Sequence, residues 1–215
     1  MDAIMDTFKF ADLSDSAKAR ALDWYREGVA QDWDGEFVIE DVVKCLGFLG
    51  YGVIQESRQR SNGAQYLHPA IYWQLAFSQG DGAVFEAMWC AKDMDLAGLL
   101  EHAPQDAELK RIGAQLMVQY MRHPAAMVKI STRPAGPGLD VMYAEFAETG
   151  REDTDGSAIY DETLERTVLS HATHDLCNWI YNLLREEYEY QTSDETCEEG
   201  IESGDYNFDE DGDVL

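Results

Sequence analysis

The chain has 215 residues, 45% of them hydrophobic and 11% aromatic, enough to bury a sizeable core and too apolar for a disordered acidic coil. Its 16 basic and 42 acidic residues leave a formal charge of -26. That charge excludes non-specific adhesion to nucleic acid or to an anionic membrane and favours basic partner surfaces or cations, a salt-rich cytoplasm being the other source of such acidity.

In chain order, Ser14 is a helix N-cap ahead of an apolar stripe of Ala17, Ala21, Leu22, Trp24 and Tyr25. A second helix follows the break at "DWDGE", with Phe37, Val38, Val42, Cys45 and Leu46 facing inward, and stops at the glycines of "GFLGYG". The pattern then changes to β: "VIQESR", "AIYWQLAF" and "AVFEAMWCA" are strand-prone, the last two joined across Ser78–Gly82 as a hairpin. Helical spacing returns from Leu96 to Arg122, interrupted at "HAPQD", where Pro104 is expected to open a new helix. "MVKIST" and "VMYAEFAE" form a second strand pair, and a long helix runs from about Asp161 to Tyr190 with Leu164, Val168, Leu176, Ile180, Leu183 and Leu184 inward. The expected fold is α+β: one domain, residues 1–190, with a mainly antiparallel sheet of four or five strands flanked by helices, and an acidic segment, residues 191–215, packed on it or extending from it.

The four cysteines (Cys45, Cys90, Cys177, Cys197) contain no C-x-x-C pair and read as reduced thiols. The first ten residues carry acids where a signal peptide needs bases, and no apolar run approaches the ~20 residues of a membrane span. The expectation is a cytoplasmic protein without membrane association.

Few motifs carry chemistry. In the hairpin, the glycines supply positive φ and Asp81 is expected to bond within the turn, and a phosphate-cradling loop would need a following helix and a lysine. Gln79 and Asp81 remain candidate partner contacts. His171 and His174, at i and i+3 beside Asp175, are the candidate metal pair, but two ligands fall short of a site, and His68, His102 and His123 have no visible companion. Glu86 is the best single carboxylate. Asn207, Asp209, Asp211 and Gly212 imitate the first half of a calcium loop that lacks its closing glutamate. No nucleophile is recognisable, so no catalytic residue, metal or cofactor is assigned, and the fold is expected to persist in chelator.

The acidic end is the most specific feature. Glu186, Glu187, Glu189, Asp194, Glu195, Glu198, Glu199, Glu202, Asp205, Asp209, Glu210, Asp211 and Asp213 occur after Arg185 without one further Lys or Arg. A helical acidic run of that density carries one charge per ~3.5 Å, close to the ~3.4 Å phosphate repeat of a DNA strand. A solvating tail has similar composition, but Tyr188, Tyr190, Ile201, Tyr206 and Phe208 are spaced to pin this one to the fold.

Five stretches, "LSDSAKARALDWYREG", "FSQGDGAVFE", "APQDAELKRI", "EYEYQTSDETCEEGI" and "YNFDEDG", together resemble a family of acidic proteins encoded by phages, prophages and plasmids. Val84 stands where that family often has Cys, and Ala87 where it often has Gly, which leaves the hairpin no thiol for redox or metal chemistry. The resemblance brings no catalytic residue; it implies an accessory protein of a mobile element. The resulting expectation is an inhibitor of a host defence system, of anti-restriction or anti-CRISPR type, that binds the basic nucleic-acid cleft of its target as a DNA mimic. The other readings are an antitoxin-like or regulatory protein neutralising one basic partner, and a metal-dependent enzyme using His171, His174 and nearby carboxylates.

Overall fold

A computed structural model describes residues 7–60, 62–75, 80–122, 124–133, 141–145 and 162–215, and the chain is α+β. Two compact units form, Phe37–Leu183 and Met1–Glu36 with Leu184–Leu215. Residues 191–215 thus group with the N-terminal helix and the last turns of the long one.

The larger unit is built on an antiparallel sheet. Helix α2 (Glu36–Phe48) buries Val38, Ile39, Val42, Cys45 and Leu46, whereas Phe37, expected inside, is 82% exposed: it lies in the first turn, five residues from Val42 and off the buried stripe. After it come β1 (Tyr51–Val53), β2 (Gln55–Gln59), β3 (Gln65–Pro69), β4 (Ile71–Gln74) and β5 (Gly82–Cys90). Strand β5 takes β1 against its second half and β4 against its first, and β6 (Met127–Arg133) and β7 (Val141–Glu145) continue the five-stranded sheet. Strands β2 and β3 pair as a separate two-stranded ribbon. The hairpin between β4 and β5 is present, with Gln74 opposite Gly82, although residues 76–79 lie outside the described residues.

Helices α3 (Leu96–His102), α4 (Ala107–Arg122) and α5 (Glu162–Gln191) follow. Pro104 does not open α4. Asp106 does: its Oδ1 accepts the Leu109 N–H at 2.8 Å, a side-chain cap that satisfies one of the helix's unpaired first-turn donors. The core holds Trp89, Tyr51, Phe85, Leu46, Leu49, Leu99, Ile112, Leu116, Ile130 and Leu169. Three of its polar side chains are paired: the Trp89 indole donates to the Leu49 carbonyl at 3.0 Å, and Thr173 donates to Leu169 O at 2.8 Å while receiving the Tyr51 hydroxyl at 3.1 Å.

The smaller unit joins the two ends of the chain. Ser14 Oγ accepts from Ala17 N to start α1 (Asp15–Asp32), and Ser193 Oγ accepts from Thr196 N to start α6 (Asp194–Ser203). Phe10, Leu13, Ala17, Ala21, Ile201 and Phe208 make its core, with Leu22, Tyr25 and Tyr206 against it. Phe8 and Phe208 exchange two backbone hydrogen bonds, of 2.8 and 3.0 Å. Gly212, at φ 89°, lets the chain pass so close to α1 that a Cβ there would sit 2.2 Å from the Ala17 carbonyl oxygen. No helix among the described residues is long and apolar enough to cross a membrane.

Candidate functional site

Helix α6 faces two ways. Cys197 and Ile201 are buried, so Glu195, Glu198, Glu199 and Glu202 fall on the opposite side, and all four are exposed. They lie within eight residues, about 10 Å of helix axis. None pairs with a cation among the described residues. Other acids of this end are partly neutralised: Lys9 meets Asp205 at 2.8 Å, Arg20 meets Asp213 at 3.4 Å, Arg185 meets Glu189 at 3.5 Å, and Arg26 bridges Asp23 and Asp194 while donating to the Thr192 carbonyl. Glu187 receives the Gln191 side-chain amide at 2.7 Å. Asp209 is used internally, its Oδ1 accepting from the Asp211 and Asp213 amides at 3.0 and 2.9 Å. The half calcium loop is therefore an Asx-type turn closed by its own backbone. Glu186, Glu210 and Asp211 are exposed to solvent.

Within the same unit, Trp24, Tyr25, Gly28, Val29, Asp32, Trp33 and Tyr206 line an open cavity of about 460 Å³. Its aromatic walls are set edge to face, Trp24 against Tyr206 at 5.2 Å and Tyr25 against Tyr206 at 6.1 Å. Electron-rich rings with one carboxylate suit a cationic side chain. Of these residues the sequence places only Trp24 and Tyr25 in a helix stripe; Tyr206, distant in sequence, makes them walls of a cavity.

The hairpin residues divide. Gln79 lies outside the described residues. Asp81 Oδ2 accepts from the Tyr181 hydroxyl at 3.4 Å, 100 residues away in sequence. Glu86 is half-buried and accepts from Ser131 Oγ at 3.3 Å, across the register of β5 and β6. His171 and His174 are exposed; His174 lies 3.1 Å from Asn178, and Asp175 is committed to Arg111 at 2.6 Å. Among the described residues no third donor joins the two histidines.

A different cluster was missed. Asp41 and Cys45, one turn apart on α2, meet His102 at the end of α3, and their donor atoms lie within 4.8 Å of one another. His102 Nε2 is 2.6 Å from Asp41 Oδ1, and Cys45 Sγ is 3.9 Å from Asp41 Oδ2. Burial, with Asp41 and Asp106 close by, pushes the Cys45 thiol up to about 12, so it is no free nucleophile. The partners of His102 are 57 and 61 residues away in sequence, and no local spacing reports such a meeting.

Residues 33–194 match the family described as Domain of unknown function (DUF8835), and the chain belongs to that family. No curated protein and no solved structure matches the chain.

Proposed function

We propose that this DUF8835 protein is a mobile-element accessory protein that acts by binding, its acidic unit occupying the basic nucleic-acid cleft of a host defence component inside the cell. The observation that carries the reading is the stripe Glu195, Glu198, Glu199 and Glu202, solvent-facing, without cation partners among the described residues, and held on a helix by Cys197 and Ile201. Four carboxylates over about 10 Å reproduce the charge spacing of a nucleic-acid strand. A fixed charge array loses less conformational freedom on binding than a flexible tail and steers association with a basic surface. The aromatic cavity beside Asp32 supports the same reading by offering a seat for an arginine or lysine of the partner.

The test is capture of a partner from host lysate, followed by competition with DNA. Binding should fall with added salt and with DNA, and the quadruple change of Glu195, Glu198, Glu199 and Glu202 to Gln should slow association on the order of tenfold with folding intact. A partner indifferent to salt, DNA and these substitutions overturns the proposal.

A further inference from the structure

The Asp41, Cys45 and His102 cluster lies in the sheet unit, and nothing in the proposed binding function uses it. Its donor set is unusual for a chance surface contact: one sulfur, one imidazole nitrogen and one carboxylate, contributed by two helices, with the sulfur on a residue only 1% exposed. The geometry argues against a cysteine nucleophile, because His102 Nε2 is held by Asp41 rather than aimed at the thiol. It also differs from a plain histidine–aspartate pair, since Cys45 Sγ approaches the other oxygen of the same carboxylate.

Metal–ligand bonds of ~2.0–2.3 Å place tetrahedral donors roughly 3.5 Å apart. The observed separations, up to 4.8 Å, close to that by adjustments of about an ångström in exposed, rotatable Asp41 and in His102. The His102 ring stacks obliquely on Phe48, with centroids 5.7 Å apart, which limits its rotation and keeps a nitrogen on the cluster. Asp106 adds negative potential at Cys45 without competing as a ligand, because its oxygens already receive Leu109 N and Trp179 Nε1. His102 is also the last residue of α3, where helix carbonyls favour a cation.

We propose that Asp41, Cys45 and His102 bind one zinc-class divalent ion, tying α2 to the end of α3 with a fourth position left to water. Thiolate and imidazole select a borderline-soft transition metal over magnesium or calcium, which take oxygen donors. This site replaces the His171 and His174 pair as the metal candidate and runs against the expectation of a metal-free protein.

The experiment titrates chelator-stripped full-length protein with Co²⁺ and then measures Zn²⁺ affinity against a chromophoric chelator. The expected result is one site per chain, a thiolate-to-cobalt charge-transfer band that Cys45→Ser abolishes, and a 10-fold or greater loss of Zn²⁺ affinity in His102→Gln. Because Cys45 is buried and its variant risks misfolding, His102→Gln and Asp41→Asn, at less buried positions, carry the test independently. His171→Gln with His174→Gln should leave binding unchanged. Affinity equal in wild type, His102→Gln and Asp41→Asn, or a cobalt spectrum without the charge-transfer band in folded wild type, overturns the site. Neither result touches the α6 proposal, whose variants lie in the other unit.

Discussion

The two units of this chain differ most in how they carry charge. Met1–Glu36 with Leu184–Leu215 has 22 acids against 5 bases, a formal -17; Phe37–Leu183 has 20 against 11, or -9, over more than twice the length. The sheet unit buries large side chains and hydrogen-bonds the polar atoms of Trp89, Tyr51 and Thr173. The acidic unit has a small core of Phe10, Leu13, Ala17, Ala21, Ile201 and Phe208, yet it holds an array of like charges in place. A small core that fixes a repulsive surface is hard to explain by stability alone. It is explained if the surface is there to meet a cation-rich partner.

The comparison breaks most severely at Gly212. Replacing it by Val sets a β-branched residue at φ 89° and drives a Cβ into the backbone of Ala17, which cannot rotate away. The acidic unit should lose about 3 kcal/mol or more, visible as lost amide-exchange protection at Phe8 and Phe208. Protection as in wild type at those amides would show that the acidic surface is not held by this close approach.

A smaller effect is expected in the sheet unit. Tyr51→Phe removes a buried hydroxyl that donates to Thr173, at a cost of about 1 kcal/mol, the low end because Thr173 keeps its own bond to Leu169. The pH dependence has a definite sign. Burial raises the Tyr51 phenol above its ordinary value, so its contribution is intact below pH ~10 and is lost as pH rises toward the folded-state value. Denaturant midpoints should therefore fall more steeply above pH ~10 in wild type than in Tyr51→Phe. Parallel curves would remove Tyr51 from the account.

Gly80 tests the hairpin at about the same scale. Its φ is 108° and a Cβ would meet nothing within 4 Å, so a substitution is strained by backbone conformation alone. Gly80→Val should cost about 1 kcal/mol in thermal or denaturant unfolding. An unchanged midpoint would show that the connection between β4 and β5 does not need this conformation.

How much of this was legible in sequence depended on whether the signal was local. Ser14 announced α1 because a cap acts over three residues, and the hairpin of β4 and β5 and the α5 boundaries followed from turn chemistry and helical period. Strand β3 was not read, because its half-exposed pattern gives no alternation of apolar residues. Pro104 misled because it satisfies the general preference for proline near a helix start, whereas Asp106 makes the bond. Of the candidate site, the acidity of the C-terminal end followed from composition, but which acids find cations did not. Lys9 and Asp205 are 196 residues apart, and the metal-capable cluster depends on a meeting of α2 and α3 that only packing decides.

The smallest expected effect bears most directly on why the acidic unit exists. Asp194 and Glu195, in the first turn of α6, are favoured by the helix dipole, but Glu199 and Glu202 lie toward its end, where a negative charge is disfavoured and no basic residue occurs. Glu195 faces Glu199, and Glu198 faces Glu202, at the i,i+4 spacing, where like charges repel by ~0.2–0.5 kcal/mol per pair. Glu199→Gln with Glu202→Gln should therefore raise stability by roughly 0.5–1 kcal/mol at low salt, with the gain shrinking as the Debye length falls. The same pair should weaken binding to a basic, DNA-binding partner. A double variant that is less stable than wild type would mean that these glutamates serve the fold, and the charge of α6 would then need no partner to account for it. A gain in stability together with a loss of binding would identify them as residues retained against the interest of the helix.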